Sequence, residues 1–241
     1  MNIALVLSGG VGTRLGTDIP KQYMEVNGRR IISYCLKTLF CHEAVDAIQI
    51  VAEEPWQQAV TEEIDDMVRK GDIGVDDRRK FRGFSVPGIT RQLSVLHGLE
   101  DILSYACADD LVLIHDAARP LLSANLVSEC FRTMEGQDGV LPVLPMKDTV
   151  YFSEDGEGIS SLLERKRIFA GQAPECFVFG KYYEANQVLL PEKILEINGS
   201  TEPAVLAGMK IKMIPGDEKN FKITTKADLE RFCKYEGMGA S

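Results

Sequence analysis

The chain has 241 residues, 45 % of them hydrophobic, and a formal net charge of −9. That length and apolar content suffice for one complete core, so a single domain over 1–241 is expected. The acidic balance excludes the basic footprint of a nucleic-acid binder, but it leaves room for a local cluster of Lys and Arg around one nucleotide.

The chain opens on an apolar run, Asn2–Leu7, short enough for one buried strand. It empties into Ser8, Gly9, Gly10, Gly12, Arg14 and Gly16, and then Pro20 and Lys21. Helical spacing of apolar residues predicts a helix over Ile31–Leu39, and AIQIVA predicts a strand over Ala47–Ala52. A charged surface helix follows over Trp56–Lys70, then a helix over Thr90–Ser104 with Leu93, Leu96, Leu99 and Ile102 on one face. DLVLIH, Asp110–His115, is the strongest buried strand and ends at Asp116. A helix over Asn125–Met134, strands over Gly139–Val143 and Met209–Ile214, and a closing helix over Lys226–Tyr235 complete the alternation. Strands alternating with amphipathic stretches predict an α/β fold, a Rossmann-like three-layer sandwich with a mainly parallel central sheet. The stretch Thr149–Ser161 breaks the pattern: Val150, Tyr151 and Phe152 lead through a polar, glycine-containing tip to Ile159, a hairpin too polar for the central sheet. A plain surface hairpin and an arm that meets another subunit both fit it.

No apolar run approaches the roughly 18 residues of a membrane span, and no basic leader precedes the first strand, so a soluble, cytoplasmic protein is expected. The six cysteines (35, 41, 107, 130, 176, 233) form no CxxC pair and no short His/Cys spacing. Buried free thiols, with Cys35 and Cys107 in apolar surroundings, account for them better than disulfides or a zinc site.

Four clusters carry chemistry. The first is the glycine loop. Glycines let a backbone approach a bulky anion and aim its N–H groups at it, and Arg14 and Lys21 add the charge a polyphosphate needs. Arg14 stands where a dinucleotide fingerprint leads to its third glycine, and no Gly-Lys-Ser/Thr follows, so neither common phosphate motif applies. The second is His115, Asp116, Ala117, Ala118, Arg119 and Pro120, at the strand end where open α/β sheets bind ligands. Asp116 can hold a metal or a substrate hydroxyl, or can simply pair with Arg119; His115 reads as a packed histidine rather than a base. The third is Lys222, placed to project from a strand end toward the glycine loop, ahead of Thr225 and Asp228, which suit a helix cap. The fourth is Gly88 to Ser94, a glycine turn opening a helix whose first amides and Ser94 hydroxyl can meet a ligand, a reading these residues alone leave open.

In that order, LSGGVGTRLG…PKQY, GITRQLSV, HDAARP, PMKDT, the Arg165 region and NFKITT resemble the cytidylyltransferases of polyol phosphates. That family includes the 2-C-methyl-D-erythritol 4-phosphate and D-ribitol-5-phosphate enzymes, and the resemblance runs from Ala4 to about Phe232. It implies transfer of a cytidylyl group from CTP to a polyol phosphate with release of pyrophosphate, and Mg²⁺ bridging the phosphates. It assigns Arg14, Lys21 and Lys222 as catalytic cations, and Ser8, Gly9, Gly10 and Gly12 to the triphosphate. Gly88, Ser94 and Ala117 match positions around the cytosine and ribose. Asp116 matches the residue that orients the polyol, and it is also the candidate metal contact. Thr149 and Arg165 match residues that grip the polyol phosphate across a homodimer interface, with an arm at about 147–172 as the dimerisation element.

Three departures stand out. Ile89 replaces an acidic residue common after the glycine. Ala173, Pro174 and Glu175 replace Thr-Pro-Gln. The family's Thr-Asp-Asp/Glu-Ala-Ser segment has no clean copy, and either Thr201 and Glu202 or Asn198, Gly199 and Ser200 stand in its place. Methylerythritol phosphate is the expected substrate, with ribitol 5-phosphate or another sugar phosphate as the alternative. A catalytically silent nucleotide-binding protein is the alternative of another class.

Overall fold

A computed structural model describes residues 1–10 and 19–238. The chain starts with β1 (Asn2–Leu7), and Ile3, Ala4, Leu5 and Val6 are buried on both of its faces. After a 3₁₀ turn at Lys21–Tyr23 comes a small hairpin, β2 (Glu25–Val26) and β3 (Arg29–Arg30), turned by Asn27 and Gly28 at φ 52° and 71°. Two successive left-handed residues give the tight turn that matches strand twist, and Asn-Gly is its usual sequence. Then follow α1 (Ile31–Cys41), β4 (Ala47–Val51), α2 (Glu54–Arg69), α3 (Val75–Arg78), β5 (Phe81–Ser85) and α4 (Arg91–Ile102). The second half runs β6 (Leu111–Asp116), α5 (Ala124–Arg132), β7 (Gly139–Pro145), β8 (Val150–Phe152), β9 (Ser161–Leu163), β10 (Phe169–Gly171) and β11 (Glu175–Val178). It closes with α6 (Phe179–Gln187), α7 (Thr201–Leu206), β12 (Ile211–Pro215) and α8 (Lys226–Met238).

Among the described residues, eight strands form one sheet in the order β10-β7-β11-β6-β1-β4-β5, with β12 also paired to β7. β5, β4, β1 and β6 are mutually parallel, whereas β11 runs antiparallel between β6 and β7. Period-two side-chain alternation splits the apolar residues of β1 between two layers. Ala4 and Val6 pack with Leu36 and Phe40 of α1, Ile64 of α2 and Val127 of α5. Ile3 and Leu5 pack on the other face with Val95 and Leu99 of α4, Tyr182 of α6 and Ala204 of α7. These two layers make the three-layer α/β sandwich. A satellite cluster of Ile31, Ile223 and Phe232 ties α8 to α1.

The chain leaves β1 toward β4 and β5, then returns to the other flank of β1 with β6. The carboxyl ends of β1 and β6 therefore part at a topological switch point, the crevice where such sheets bind ligands. The predicted hairpin exists as β8 and β9, but its return strand starts at Ser161, two residues beyond Ile159. Within the stretch 147–172, β10 pairs with β7 of the central sheet. All six cysteines are free; Cys35, Cys130 and Cys176 are buried, while Cys41, Cys107 and Cys233 are exposed. Burial of Cys107 is therefore corrected: the apolar run around it breaks into a turn before β6. No helix among the described residues is long and apolar enough to cross a membrane.

Candidate active site

At the switch point lies a cleft of about 570 Å³. Its floor is Leu7 and Asp116; Gly9, Gly10 and Lys21 form one rim, Gly88, Arg91 and Ser94 another, and Ala118, Lys222 and Thr224 close it. Lys21 and Lys222, 201 positions apart in sequence numbering, thus share one cavity.

Backbone packing shapes the first two rims. A Cβ on Gly9 would stand 2.5 Å from Pro87 Cβ, and one on Gly88 would stand 2.3 Å from Leu93 Cβ. Only hydrogen fits at either position, so the loops after β1 and β5 meet at van der Waals distance. The Gln22 amide donates to the carbonyl oxygens of Ser8 (2.6 Å) and Gly10 (2.8 Å), holding the start of the glycine loop. Behind it the Tyr23 hydroxyl donates to Ser8 O, and its ring stacks on Trp56 at 4.4 Å. Ser8 itself is buried, its hydroxyl bonded to Tyr23, so it braces the loop from behind. Gly12 and Arg14 lie outside the described residues. The Ser94 hydroxyl lies between Gly88 N–H (3.0 Å) and Thr90 O (2.9 Å), fastening the Gly88 turn to the helix that Thr90 caps. Ala117 is in the core, and Ala118 is the alanine that lines the cleft.

The third wall is ionic. Asp116 is buried, and its Oδ1 accepts from Arg91 Nε (3.2 Å) and Nη2 (2.9 Å). Its Oδ2 faces Lys222 Nζ at 3.1 Å and Arg119 Nε at 3.4 Å. Burial alone would raise this carboxyl, but Arg91, Lys222 and Arg119 outweigh it and hold Asp116 well below the usual carboxylate range. Three cations around one carboxylate leave positive charge facing the cleft, where Lys21 adds to it. Lys222 is placed by its neighbours: Ile223 N–H bonds Ala118 O (2.8 Å), Arg119 Nη1 bonds Asn220 O (2.9 Å), and Gln172 bonds the same carbonyl (3.2 Å). Thr225 and Asp228 cap α8 reciprocally, as expected. His115 is fully buried, with Nε2 on Arg119 O at 3.0 Å, and burial lowers its pKa to about 4. It is a packed histidine, as expected.

Thr149 and Arg165 are exposed on the arm and do not line this cleft; Arg165 donates to Lys147 O at 2.7 Å. Thr201 starts α7, its hydroxyl oxygen buried without a partner, while the preceding Ser200 accepts a bond from Arg91 Nη1. Arg119 pairs with Asp116, the alternative its motif offered, whereas Gln22 and Arg91 are shaping side chains that motif reading gave no role. Each sits inside a quoted motif, and a charged or amide residue beside a glycine turn or strand-end carboxylate was the available signal. Asp116 does not fit a metal: its oxygens are taken by cations, and no group of three His, Cys, Asp or Glu side chains among the described residues could hold one.

Comparison with known proteins follows this geometry. The family described as IspD, 2-C-methyl-D-erythritol 4-phosphate cytidylyltransferase, matches residues 2–233. The 2-C-methyl-D-erythritol 4-phosphate cytidylyltransferase of Thermotoga neapolitana is 32 % identical, covering 95 % of this chain and 94 % of that one. The ribitol-5-phosphate cytidylyltransferase of Streptococcus agalactiae serotype III is 28 % identical over 96 % and 94 %. The bifunctional enzyme IspD/IspF of Paramagnetospirillum magneticum is 31 % identical over 98 % of this chain, which spans 57 % of that protein's length. The crystal structure of 4-diphosphocytidyl-2C-methyl-D-erythritol synthase from Anaerococcus prevotii shares the fold, with a TM-score of 0.79 at 23 % identity over 98 % and 96 % of the two chains. A switch-point cleft with lysines from both ends of the chain, and a family match over nearly its whole length, place this protein in the IspD family of CTP-dependent cytidylyltransferases.

Proposed function

We propose that this cleft joins CTP to 2-C-methyl-D-erythritol 4-phosphate, giving a CDP-polyol and pyrophosphate for isoprenoid precursor synthesis. The observation that carries the reading is the convergence of Lys21, Lys222, Gly10 and Gly88 on one cavity above Asp116. Mg²⁺ would be held by the phosphate oxygens of CTP rather than by this cationic wall, and would supply charge neutralisation there. Gly9, Gly10 and Gly12 present backbone N–H groups to the triphosphate, and the Gly88–Ser94 turn receives the base and ribose. A phosphate oxygen of the polyol substrate attacks the α-phosphorus of CTP, and the bond from that phosphorus to the bridging oxygen breaks, releasing pyrophosphate. The attacker is already an anion, so no strong general base is needed. The work is positioning and charge neutralisation by Arg14, Lys21 and Lys222. Asp116 receives the polyol hydroxyls, a role helped by its fixed ionisation.

On this reading the arm completes the site of a second copy. Tyr151, Phe152 and Leu162 are exposed on it, an apolar surface that a homodimer would cover, and Thr149 and Arg165 would meet the neighbour's polyol phosphate. Mixing Arg165→Ala with Lys21→Ala protein tests this: regained activity supports a shared site, and none despite subunit exchange refutes it. One feature favours ribitol 5-phosphate instead, namely the unmatched segment Asn198 to Thr201 beside Arg91. Pyrophosphate release from CTP and Mg²⁺ with a panel of polyol phosphates decides between them. Release with methylerythritol phosphate alone supports the reading. Preference for ribitol 5-phosphate replaces the substrate, and CTP binding without release from any member replaces the enzyme by a binder.

A further inference from the structure

Behind the ionic wall lie two buried polar residues, Glu175 and Ser200, that do not line the cleft. Glu175, at the start of β11, stands opposite Ile114 of β6, two residues before Asp116. It is buried beside the Ser200 side chain, and its Oε2 has no partner. The Ser200 hydroxyl oxygen accepts from Arg91 Nη1, while Arg91 Nε and Nη2 both reach Asp116 Oδ1. Ser200 is fully buried, and its carbonyl is fixed separately by the Tyr182 hydroxyl at 2.7 Å; Tyr182 in turn stacks on Phe177 of β11 at 4.1 Å.

A hydroxyl that accepts from a guanidinium has one proton left to give, and the buried Glu175 carboxylate beside it offers an acceptor for that proton. The guanidinium is a planar, rigid fork, so anchoring Nη1 sets the tilt of the other two nitrogens on Asp116. We propose that Glu175 and Ser200 are positioning residues that, through Arg91, set the orientation in which Asp116 meets the polyol, and so govern capture of the polyol phosphate rather than of CTP. This rests on the assignment of Asp116 to the polyol. It also gives a physical role to two of the three places where this chain departs from its family's pattern, residue 175 and the segment around residue 200. The two departures are neighbours behind Arg91.

The test is steady-state pyrophosphate release by the full chain, varying methylerythritol phosphate and then CTP, with calorimetric CTP binding alongside. Glu175→Ala and Ser200→Ala should each raise KM for the polyol phosphate by about tenfold to a hundredfold, while CTP affinity stays within about twofold. Glu175→Gln keeps an acceptor oxygen for Ser200 and should recover most of the loss. The double alanine variant should be no worse than the worse single one, since both cut the same link. An equal rise in KM for both substrates, failure of the glutamine to rescue, or additive losses would each overturn the proposal. If Glu175→Ala does not fold, Ser200→Ala reads the same link. Asp116→Asn separates the two levels: without effect on the polyol KM it removes the functional assignment, and with an effect that the Glu175 and Ser200 variants lack it removes this inference alone.

Discussion

The two walls of the cleft are made by different physics. The wall from the loops after β1 and β5 is tight packing on glycine backbone, with Gly9 on Pro87 and Gly88 on Leu93 at distances that admit no side chain. The wall from β6 and the 219–224 segment is side-chain charge, with Arg119 and Lys222, and Arg91 reaching across from α4, around a buried Asp116. A packed wall tolerates no added volume but is indifferent to pH; a charged wall tolerates conservative volume changes but responds to each unit of charge. Under the proposed function, nucleotide recognition falls to the first wall and selection of the second substrate to the second.

The sharpest way to break this contrast is to remove a cation. Lys21→Ala and Lys222→Ala should each lower turnover by on the order of 10²–10³ while CTP affinity changes far less, as expected of contacts used in the transition state. Equal losses of turnover and affinity, from kinetics and calorimetry on the same samples, would make them ordinary binding residues. Next comes Gly88→Ala, which forces Leu93 and the start of α4 to shift. The expected result is about tenfold or more weaker CTP binding, with destabilisation of roughly 1–3 kcal/mol seen as a lower urea midpoint. Unchanged CTP affinity would mean that the turn does not shape the nucleotide side.

The effect that leaves catalysis aside, and is read in stability alone, belongs to His115. Its folded-state pKa of about 4 lies below the unfolded value of 6.5, so between these values the unfolded chain binds more protons. Stability therefore falls as pH drops through that window, by up to roughly 3 kcal/mol. Glu175, raised by burial, acts in the opposite sense, so the signal is the difference in slope between wild type and His115→Asn in urea titrations at pH 4 to 7. Equal slopes would mean that His115 is not the buried neutral group described.

The parallel half of the sheet was legible because its strands are uninterrupted apolar runs: Asn2–Leu7 is predicted and observed with the same ends. β5 was not, since Phe81 to Ser85 contains Arg82 and Gly83 and bends at a register shift opposite Ile48 and Gln49. β11 was not either, because it is four residues long and begins with a buried carboxylic acid. Its acid makes sense only beside Ser200 and Arg91, which no local pattern announces. In the site, the glycine turns and the lysines were visible as residue types. The roles of Ser94 as a brace and Ala118 as the lining alanine depend on side-chain direction, which spacing does not report.

The amino-acid order alone settled the chemistry available: which glycines allow a close backbone, which cations exist, and which strand ends in a carboxylate. Tertiary structure decided what meets what. Lys222 reaches the crevice because Ile223 docks on the loop after β6, and Glu175 sits behind Asp116 because β11 runs antiparallel beside β6. Residue type is a local property of a sequence, whereas the electrostatic neighbourhood of a buried group is the sum over segments that only folding brings within a few ångströms.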